Sequence, residues 1–321
     1  MGRFSLNPYL WGVKLRNYLY RKGIFKTCRP KARVISVGNL SVGGTGKTPT
    51  VLHLAKHLKG KGLKVSILLR GYRRETKGTL LVSDGEKPLV GVRQCGDEAY
   101  LYAKLLKGIP VVVAENRCEG AKLLEKLFSP EVILLDDGFQ HLRIERDFDI
   151  VLITPRDLKD KVLPFGRLRE PLSVLKERDD YCLFSKTEKP HRRLENFCSS
   201  LGKKFGYLTL KGFKLFDHRL RGVDFSSLKG ERVGVVSALG DNETFLKQVE
   251  ELSQIYGFEI TKVVQFRDHY HYKDFKPDQN LVWITTFKDF FKIGGENLFI
   301  LEREFSLPSN LLGEVEKLFP T

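Results

Sequence analysis

The stretch VISVGNLSVGGTGKTPT, residues 34–50, decides the fold. Residues 34–37 are a short apolar run that predicts a buried strand. The glycine-rich turn Gly43-Gly44-Thr45-Gly46 follows, then Lys47-Thr48, then a helical pattern. Strand, glycine loop, Lys-Thr and helix in that order make a phosphate cradle. The glycines let backbone N–H groups approach phosphate oxygens and tolerate positive φ. In such a loop Lys47 reaches the β/γ-phosphates of a nucleotide and the Thr48 hydroxyl faces Mg²⁺. Pro49 suits a helix first turn, and Val51, Leu52, Ala55 and Leu58 lay an apolar stripe at helical spacing. Ser41 stands where the general signature has a small residue, normally Gly. A glycine turn ending in a surface Lys is the alternative; the strand before and the amphipathic helix after weigh against it.

Working outward, the chain alternates. Apolar runs at 65–69, 111–114, 132–135, 150–153 and 181–184 predict strands, and 98–106 and 119–128 predict helices. Short apolar strands separated by helices predict an α/β fold, a P-loop NTPase-type parallel sheet covered on both faces. Ligands in such sheets bind at the carboxyl ends of the strands. The run at 132–135 leads into Asp136-Asp137-Gly138-Phe139-Gln140-His141. A strand ending in Asp downstream of a P-loop is the arrangement that holds Mg²⁺; spacing leaves open which of Asp136 and Asp137 faces the metal. Gly96-Asp97-Glu98 opens a helix, with Asp97 placed to cap it and Glu98 favourable to its dipole. Arg70, Tyr72, Arg117 and Arg169 follow strands or open helices, where arginines can fork onto an anionic ligand; each is also compatible with a surface charge.

Beyond residue 206 the pattern restarts. Residues 207–216 alternate as an extended linker or hairpin. Strands are expected at 233–236, 260–264 and 281–285, with a helix at 245–256. This predicts a second, smaller α/β unit without its own P-loop. Between its strands lies Phe266-Arg267-Asp268-His269-Tyr270-His271-Tyr272, a loop dense in groups used for catalysis; a surface histidine is the plain alternative for His269. The expected organisation is a basic amphipathic segment at 1–33, a P-loop kinase domain at 34–206 and the smaller domain at 207–321.

The chain has 321 residues, 41% hydrophobic and 29% charged, and a net charge of +16 that calls for an anionic partner. Nine Lys/Arg (Arg3, Lys14, Arg16, Arg21, Lys22, Lys26, Arg29, Lys31, Arg33) and no Asp or Glu lie in residues 1–33. They interleave with Phe4, Leu6, Tyr9, Leu10, Trp11, Val13, Leu15, Tyr18, Leu19, Tyr20, Ile24 and Phe25. That pattern describes a helix lying in a membrane interface; a helix packed on its own core and a nucleic-acid arm are the alternatives. The five cysteines (Cys28, Cys95, Cys118, Cys182, Cys198) are scattered and never in CxxC spacing. They argue for a reducing compartment, against a disulfide framework and against a zinc site. No uncharged apolar run is long enough to cross a bilayer and no signal peptide is evident, so a cytosolic protein, or one on the cytosolic face of a membrane, is expected.

VGNLSVGGTGKTP, LLRGYRR, CGDEAYLYAK, LLDDGFQH, PFGRLREPL and FRDHYHY, in this order, resemble the tetraacyldisaccharide 4′-kinase family, the lipid A 4′-kinases of Gram-negative bacteria. The resemblance covers essentially the whole chain, and Ser41 is the family's own form of the loop. It implies ATP- and Mg²⁺-dependent phosphorylation of the 4′-hydroxyl of tetraacyldisaccharide 1-phosphate, yielding the bis-phosphorylated lipid A precursor. By that resemblance Gly43, Gly44, Thr45, Gly46, Lys47 and Thr48 bind nucleotide, with Gln140 and His141 nearby. Thr48, Asp136 and Asp137 serve the metal, and Glu98 lies beside them. Asp97 resembles the catalytic base, paired with His269, and Arg70, Tyr72, Arg117 and Arg169 resemble the lining of the headgroup and phosphate pocket. The implied location is peripheral, on the anionic cytoplasmic face of the inner membrane, with no nucleic acid and no protein partner. One departure is Thr286-Phe287-Lys288-Asp289, with Phe where the family commonly has an acidic residue; no role is assigned to it.

Two rival readings remain distinguishable. Partitioning or metal-insertion P-loop ATPases commonly carry Lys directly before the Gly-Gly, where this chain has Val42. A nucleic-acid module predicts basic residues spread along a groove with stacking aromatics, whereas the charge here concentrates in one terminal segment.

Overall fold

Strand β1 (Arg33–Asn39) is buried at every position after its first, so it lies in the middle of a sheet, as an unbroken apolar run requires. The computed structural model describes residues 7–178, 180–187 and 189–320. Arg3, Phe4 and Leu6 of the basic terminal segment lie outside the described residues. The chain divides into two units, Met1–Thr209 with Ser306–Thr321, and Leu210–Phe305.

In the first unit β1 is joined by β2 (Val65–Leu69), β3 (Leu80–Ser83), β4 (Val111–Val113), β5 (Val132–Asp136), β6 (Phe148–Ile153), β7 (Tyr181–Phe184) and β8 (Lys204–Tyr207). Their order is β3-β4-β2-β5-β1-β6-β7-β8. All pairs are parallel except the edge pair β3–β4. The helices are α1 (Pro8–Arg21), α2 (Lys47–Gly60), α3 (Val92–Cys95), α4 (Asp97–Leu105), α5 (Arg117–Phe128), α6 (Leu175–Arg178) and α7 (Arg192–Ser200). One core layer packs Cys118, Ala121 and Leu124 of α5 on Val34, Leu68, Val112, Ile133 and Leu135. Another packs Leu194 and Cys198 of α7 with Leu40, Phe139, Val151, Ile153 and Phe184. Helices thus cover strands that are apolar on both faces, as expected for an α/β fold. A Cβ on Gly38 would meet the Cβ of Phe139 at 2.5 Å, so only glycine lets the segment after β5 close over β1.

The second unit holds β9 (Thr209–Phe216), β10 (Gly222–Val223), β11 (Arg232–Ser237), β12 (Glu259–Gln265), β13 (Val282–Thr285) and β14 (Leu298–Ser306), in the order β10-β9-β14-β13-β11-β12. It is covered by α8 (Asn242–Tyr256) and α9 (Phe287–Ile293). Of the residues 207–216 read as an extended linker or hairpin, Tyr207 ends β8 and 209–216 form the single strand β9, which pairs antiparallel with β10 beyond that range.

Three expectations are corrected. The last helix, α10 (Ser309–Glu316), belongs to the first unit, not to a domain running to 321. It docks there through Asn310, which accepts from the Tyr181 hydroxyl at 2.6 Å and donates to the Phe205 carbonyl at 3.0 Å. Asp97 does not cap α4: Gly96 occupies the cap at φ 89°, leaving Asp97 as the first helical residue. Finally, Cys28 and Cys118 form a disulfide, although 90 residues separate them. The Arg143 carbonyl accepts from the Cys28 N–H at 2.8 Å and lies 3.6 Å from the Cys118 sulfur, so a third segment lies beside both and their spacing carries no sign of it. Cys95, Cys182 and Cys198 are free and buried. The compartment argument built on unpaired cysteines therefore lapses.

Candidate active site

The carboxyl ends of β1 and β5 meet the start of α2, and their side chains converge there. Gly43 and Gly46 have φ of 109° and 95°, the left-handed region that glycine adopts without strain. The loop is braced by residues 161–169. Val42 N–H donates to the Arg167 carbonyl at 2.9 Å, and the Arg167 guanidinium donates back to the Val42 carbonyl at 2.6 Å. A Cβ on Gly43 would lie 2.8 Å from that guanidinium.

Lys47, first residue of α2, donates from Nζ to Asn39 Oδ1 at 3.2 Å and lies 3.5 Å from Asp137 Oδ1. Arg169 forks onto Asp137 through Nη1–Oδ2 at 3.0 Å and Nη2–Oδ1 at 2.9 Å. It also donates to the Asn39 carbonyl at 3.0 Å and to Asn39 Oδ1. Gln140 Nε2 donates to the same carbonyl at 2.9 Å. Two cations therefore surround one carboxylate, with Asn39 as the common strut. Burial raises the pKa of Asp137, but Arg169 and Lys47 outweigh it and hold the carboxyl well below the usual range. Asp137 is ionised at neutral pH.

Asp136 differs. It ends β5, is buried, and accepts the Tyr102 hydroxyl at 2.8 Å on Oδ2. Burial pushes its pKa up to about 6 against the pull of Lys47. The Thr48 hydroxyl and the Glu98 carboxylate flank Tyr102, which places Glu98 and Tyr102, one turn apart on α4, beside the loop. Asp97 precedes them at the head of the same helix, half-buried.

Arg117, 3% exposed at the start of α5, donates to the Ala114 carbonyl at 2.8 Å. Burial and the neighbouring Arg70 lower its pKa to about 10, against Asp137 and Asp136. His141 is held neutral, its pKa lowered to about 4 by burial and by Arg117, Arg146, Arg143 and Arg70. Arg70, Arg117, His141 and the two aspartates thus share one electrostatic field. Tyr72 is more than half exposed, with the Arg73 guanidinium 5.4 Å from its ring.

His269 lies in the second unit, in the loop after β12, at φ 64° with Nε2 3.7 Å from Asp268 Oδ1. Of the expected Asp97–His269 pair, Asp97 belongs to the first unit and His269 to the second.

The donor set fits a nucleotide with a hard cation. Asp136 Oδ1, Thr45 Oγ1, Gln140 Oε1 and His141 Nε2 are buried without a hydrogen-bond partner among the described residues. Such atoms are costly unless a ligand engages them. The oxygens suit Mg²⁺, and the glycine loop at the head of α2 suits phosphates. Among the described residues no group of three or more His, Cys, Asp or Glu could cage a metal.

Asn39, Tyr102, Arg167 and Glu170 were missed by the sequence reading. Asn39 gave a signal, as a polar residue closing a buried strand. Tyr102 gave one too, four residues after Glu98 and so on the same helical face.

Comparison with known proteins was made on this basis. A family model described as tetraacyldisaccharide-1-P 4′-kinase matches residues 5–317. The chain is 42% identical over 316 residues to a tetraacyldisaccharide 4′-kinase of Aquifex aeolicus, covering 96% of this chain and 95% of that one. It is 40% identical to one of Chlorobaculum parvum, covering 90% and 84%. A crystal structure of LpxK from Aquifex aeolicus in complex with ATP matches with a TM-score of 0.85 at 38% identity, covering 97% of this chain and 96% of that one.

Proposed function

The chain belongs to the tetraacyldisaccharide-1-P 4′-kinase family, and from that premise we propose how its residues divide the work. The reaction is ATP-dependent phosphorylation of the 4′-hydroxyl of tetraacyldisaccharide 1-phosphate, giving the bis-phosphorylated lipid A precursor, lipid IVA. The observation that carries the assignment is the Lys47–Asn39–Asp137–Arg169 network under the glycine loop.

Gly43, Gly44, Thr45 and Gly46 present backbone N–H groups to the phosphates, and Lys47 leaves Asn39 to neutralise the transferring phosphoryl group. Thr48 and Asp136 would hold Mg²⁺, with Asp137 and Glu98 beside them. When bound, the ion supplies positive charge to the phosphate oxygens. Gln140 and His141 line the nucleotide side. A sugar hydroxyl is a weak nucleophile, so Asp97 accepts its proton as attack proceeds, and His269 is assigned to proton transfer. Arg70, Tyr72, Arg117 and Arg169 receive the phosphorylated headgroup.

Substrate access follows from α1. Trp11, Lys14, Leu15, Tyr18 and Lys22 share one helical face; Trp11 and Leu15 are each over half exposed. Exposed aromatic and aliphatic groups among lysines suit an anionic membrane interface. Among the described residues no helix is long and apolar enough to cross a membrane. On this reading of α1 the protein works as a peripheral enzyme on the cytoplasmic face of the inner membrane, where ATP is available.

The test is transfer of labelled phosphate from ATP to tetraacyldisaccharide 1-phosphate in mixed micelles. Wild type should label the lipid, and Lys47→Ala and Asp97→Ala should each lose about a hundredfold or more. ATP hydrolysis by wild type with no labelled lipid would return the P-loop switch reading.

A further inference from the structure

The face of α1 opposite the exposed stripe is bonded to the segment that carries Arg169. Asn7 caps the helix, accepting from the Leu10 N–H at 3.1 Å, and its Nδ2 donates to the Leu163 carbonyl at 2.9 Å. The Tyr9 hydroxyl donates to the Arg169 carbonyl at 3.0 Å. Arg16 Nη2 donates to Glu170 Oε1 at 3.0 Å, and Asn17 Nδ2 to Glu170 Oε2 at 2.9 Å. Arg16 is itself oriented by two bonds to Asn17 Oδ1, at 3.2 and 3.1 Å.

Glu170 has no solvent exposure. A buried carboxylate is strongly destabilising when its charge partner is removed, so this residue ties α1 in place. Its neighbour Arg169 has its backbone carbonyl bonded to α1 and its guanidinium bonded to Asp137 and Asn39. One residue is thus held from both sides. A shift of α1 must move that carbonyl and the Glu170 carboxylate together, and the guanidinium clamp lies on the same short stretch of backbone.

We propose that α1 is a positioning element for Arg169, acting through Arg16–Glu170 and the Tyr9 hydroxyl. The helix that meets the lipid surface also sets the guanidinium that clamps Asp137 and receives the headgroup. This rests on the reading above of Arg169 as a site residue and of α1 as the membrane-facing helix. Tyr9, Arg16 and Glu170 are positioning residues, since none of them bonds to the reacting groups directly.

The experiment is a double-mutant cycle. kcat and KM for the lipid are measured in neutral detergent micelles, where no anionic surface contributes to binding. Wild type, Arg16→Ala, Arg16→Lys, Tyr9→Phe, Arg169→Ala and Arg16→Ala/Arg169→Ala are compared, with thermal midpoints and sedimentation on phosphatidylglycerol vesicles alongside. Arg16→Ala should lower kcat about tenfold and Tyr9→Phe about threefold, and the double variant should be no slower than Arg169→Ala alone, because residues acting through one another are non-additive. Arg16→Lys should recover part of the loss. Multiplying effects overturn the proposal, as does a loss confined to KM or to vesicle binding, which would make α1 an anchor only. A lowered thermal midpoint with unchanged kcat also overturns it. If Arg169→Ala alone changes neither kcat nor KM, the reading of Arg169 as a site residue fails and the proposal falls with it. Should Arg16→Ala not fold, Tyr9→Phe decides, since it removes only the hydroxyl that bonds to the Arg169 carbonyl.

Discussion

Both units end parallel strands in polar side chains, but those side chains face different tasks. In the first unit the ends of β1 and β5 present Asn39, Asp136 and Asp137 to Lys47 and Arg169, and buried atoms such as Asp136 Oδ1 and Thr45 Oγ1 have no partner among the described residues. In the second, the ends of β11 and β13 are tied to one another. Asn242 Oδ1 accepts from Ser237 Oγ and the Leu239 N–H, both at 2.8 Å, and its Nδ2 donates to the Phe266 carbonyl at 2.8 Å. Asp289 accepts from the Ala238 N–H at 3.1 Å and the Thr286 hydroxyl at 3.0 Å. The first unit's polar groups surround an ionised carboxylate; the second unit's hold a loop, although Thr285 Oγ1 and Asp289 Oδ1 there are also buried without a hydrogen-bond partner among the described residues. Phe266, stacked on Tyr270 with centroids 4.2 Å apart, is the root of the loop that carries His269. The difference teaches that the glycine loop and its charged clamp lie in the first unit, while the polar residues at the strand ends of the second brace that unit's own loop.

The largest effect that could break this division is a comparison of Asp97→Asn with His269→Asn. On the roles proposed for them, Asp97→Asn should lower kcat by about 10²–10⁴ and His269→Asn by about tenfold, with KM for ATP little changed in both. Equal losses would place the chemistry in both units. Next in size is Asn242→Ala, which removes the tie between β11 and the loop root. Its kcat should fall by no more than that of His269→Asn, nucleotide affinity should be untouched, and His269→Asn/Asn242→Ala should be no slower than His269→Asn. A loss of nucleotide binding would show that the second unit does more than present its loop.

The P-loop was legible because local order alone defines it: an apolar run, glycines, Lys-Thr and an apolar helical stripe. Asp136 was legible for the same reason, closing a run of four apolar residues. What lay beyond reach depends on contacts between distant segments. Nothing local links Cys28 to Cys118, since the carbonyl that gathers them belongs to Arg143. Strand β3 is an edge strand of four residues, too short for its period to stand out. Asp97 was displaced from the cap by Gly96, whose positive φ is a tertiary requirement: a Cβ there would meet the Tyr72 carbonyl oxygen at 2.9 Å. The Thr286–Asp289 segment, given no role from sequence, proves to be a strut, visible only once Ala238 is seen above it.

The smallest expected effect sharpens the comparison, because only buried charge in the first unit produces it. Folded His141 stays neutral down to about pH 4, while the unfolded residue titrates near 6.5. As pH falls, the unfolded chain takes up this proton first, so the stability His141 contributes is whole above 6.5 and is lost as pH drops towards 4. Asp136 works in the opposite sense. Its folded pKa of about 6 lies above the unfolded value of 3.8, so its contribution is present at low pH and lost as pH rises through 6. The wild-type profile contains both, and His141→Gln isolates one. Between pH 7 and pH 5 wild type should lose roughly 2 kcal/mol more than His141→Gln, read from urea midpoints at each pH. Hydrogen exchange should show the added opening in β5 and α5 and leave β11 unchanged. Identical profiles for the two proteins would mean that Arg117 and Arg70 do not press on a buried imidazole, and the concentration of unmet polar groups at the P-loop would lose its clearest signature.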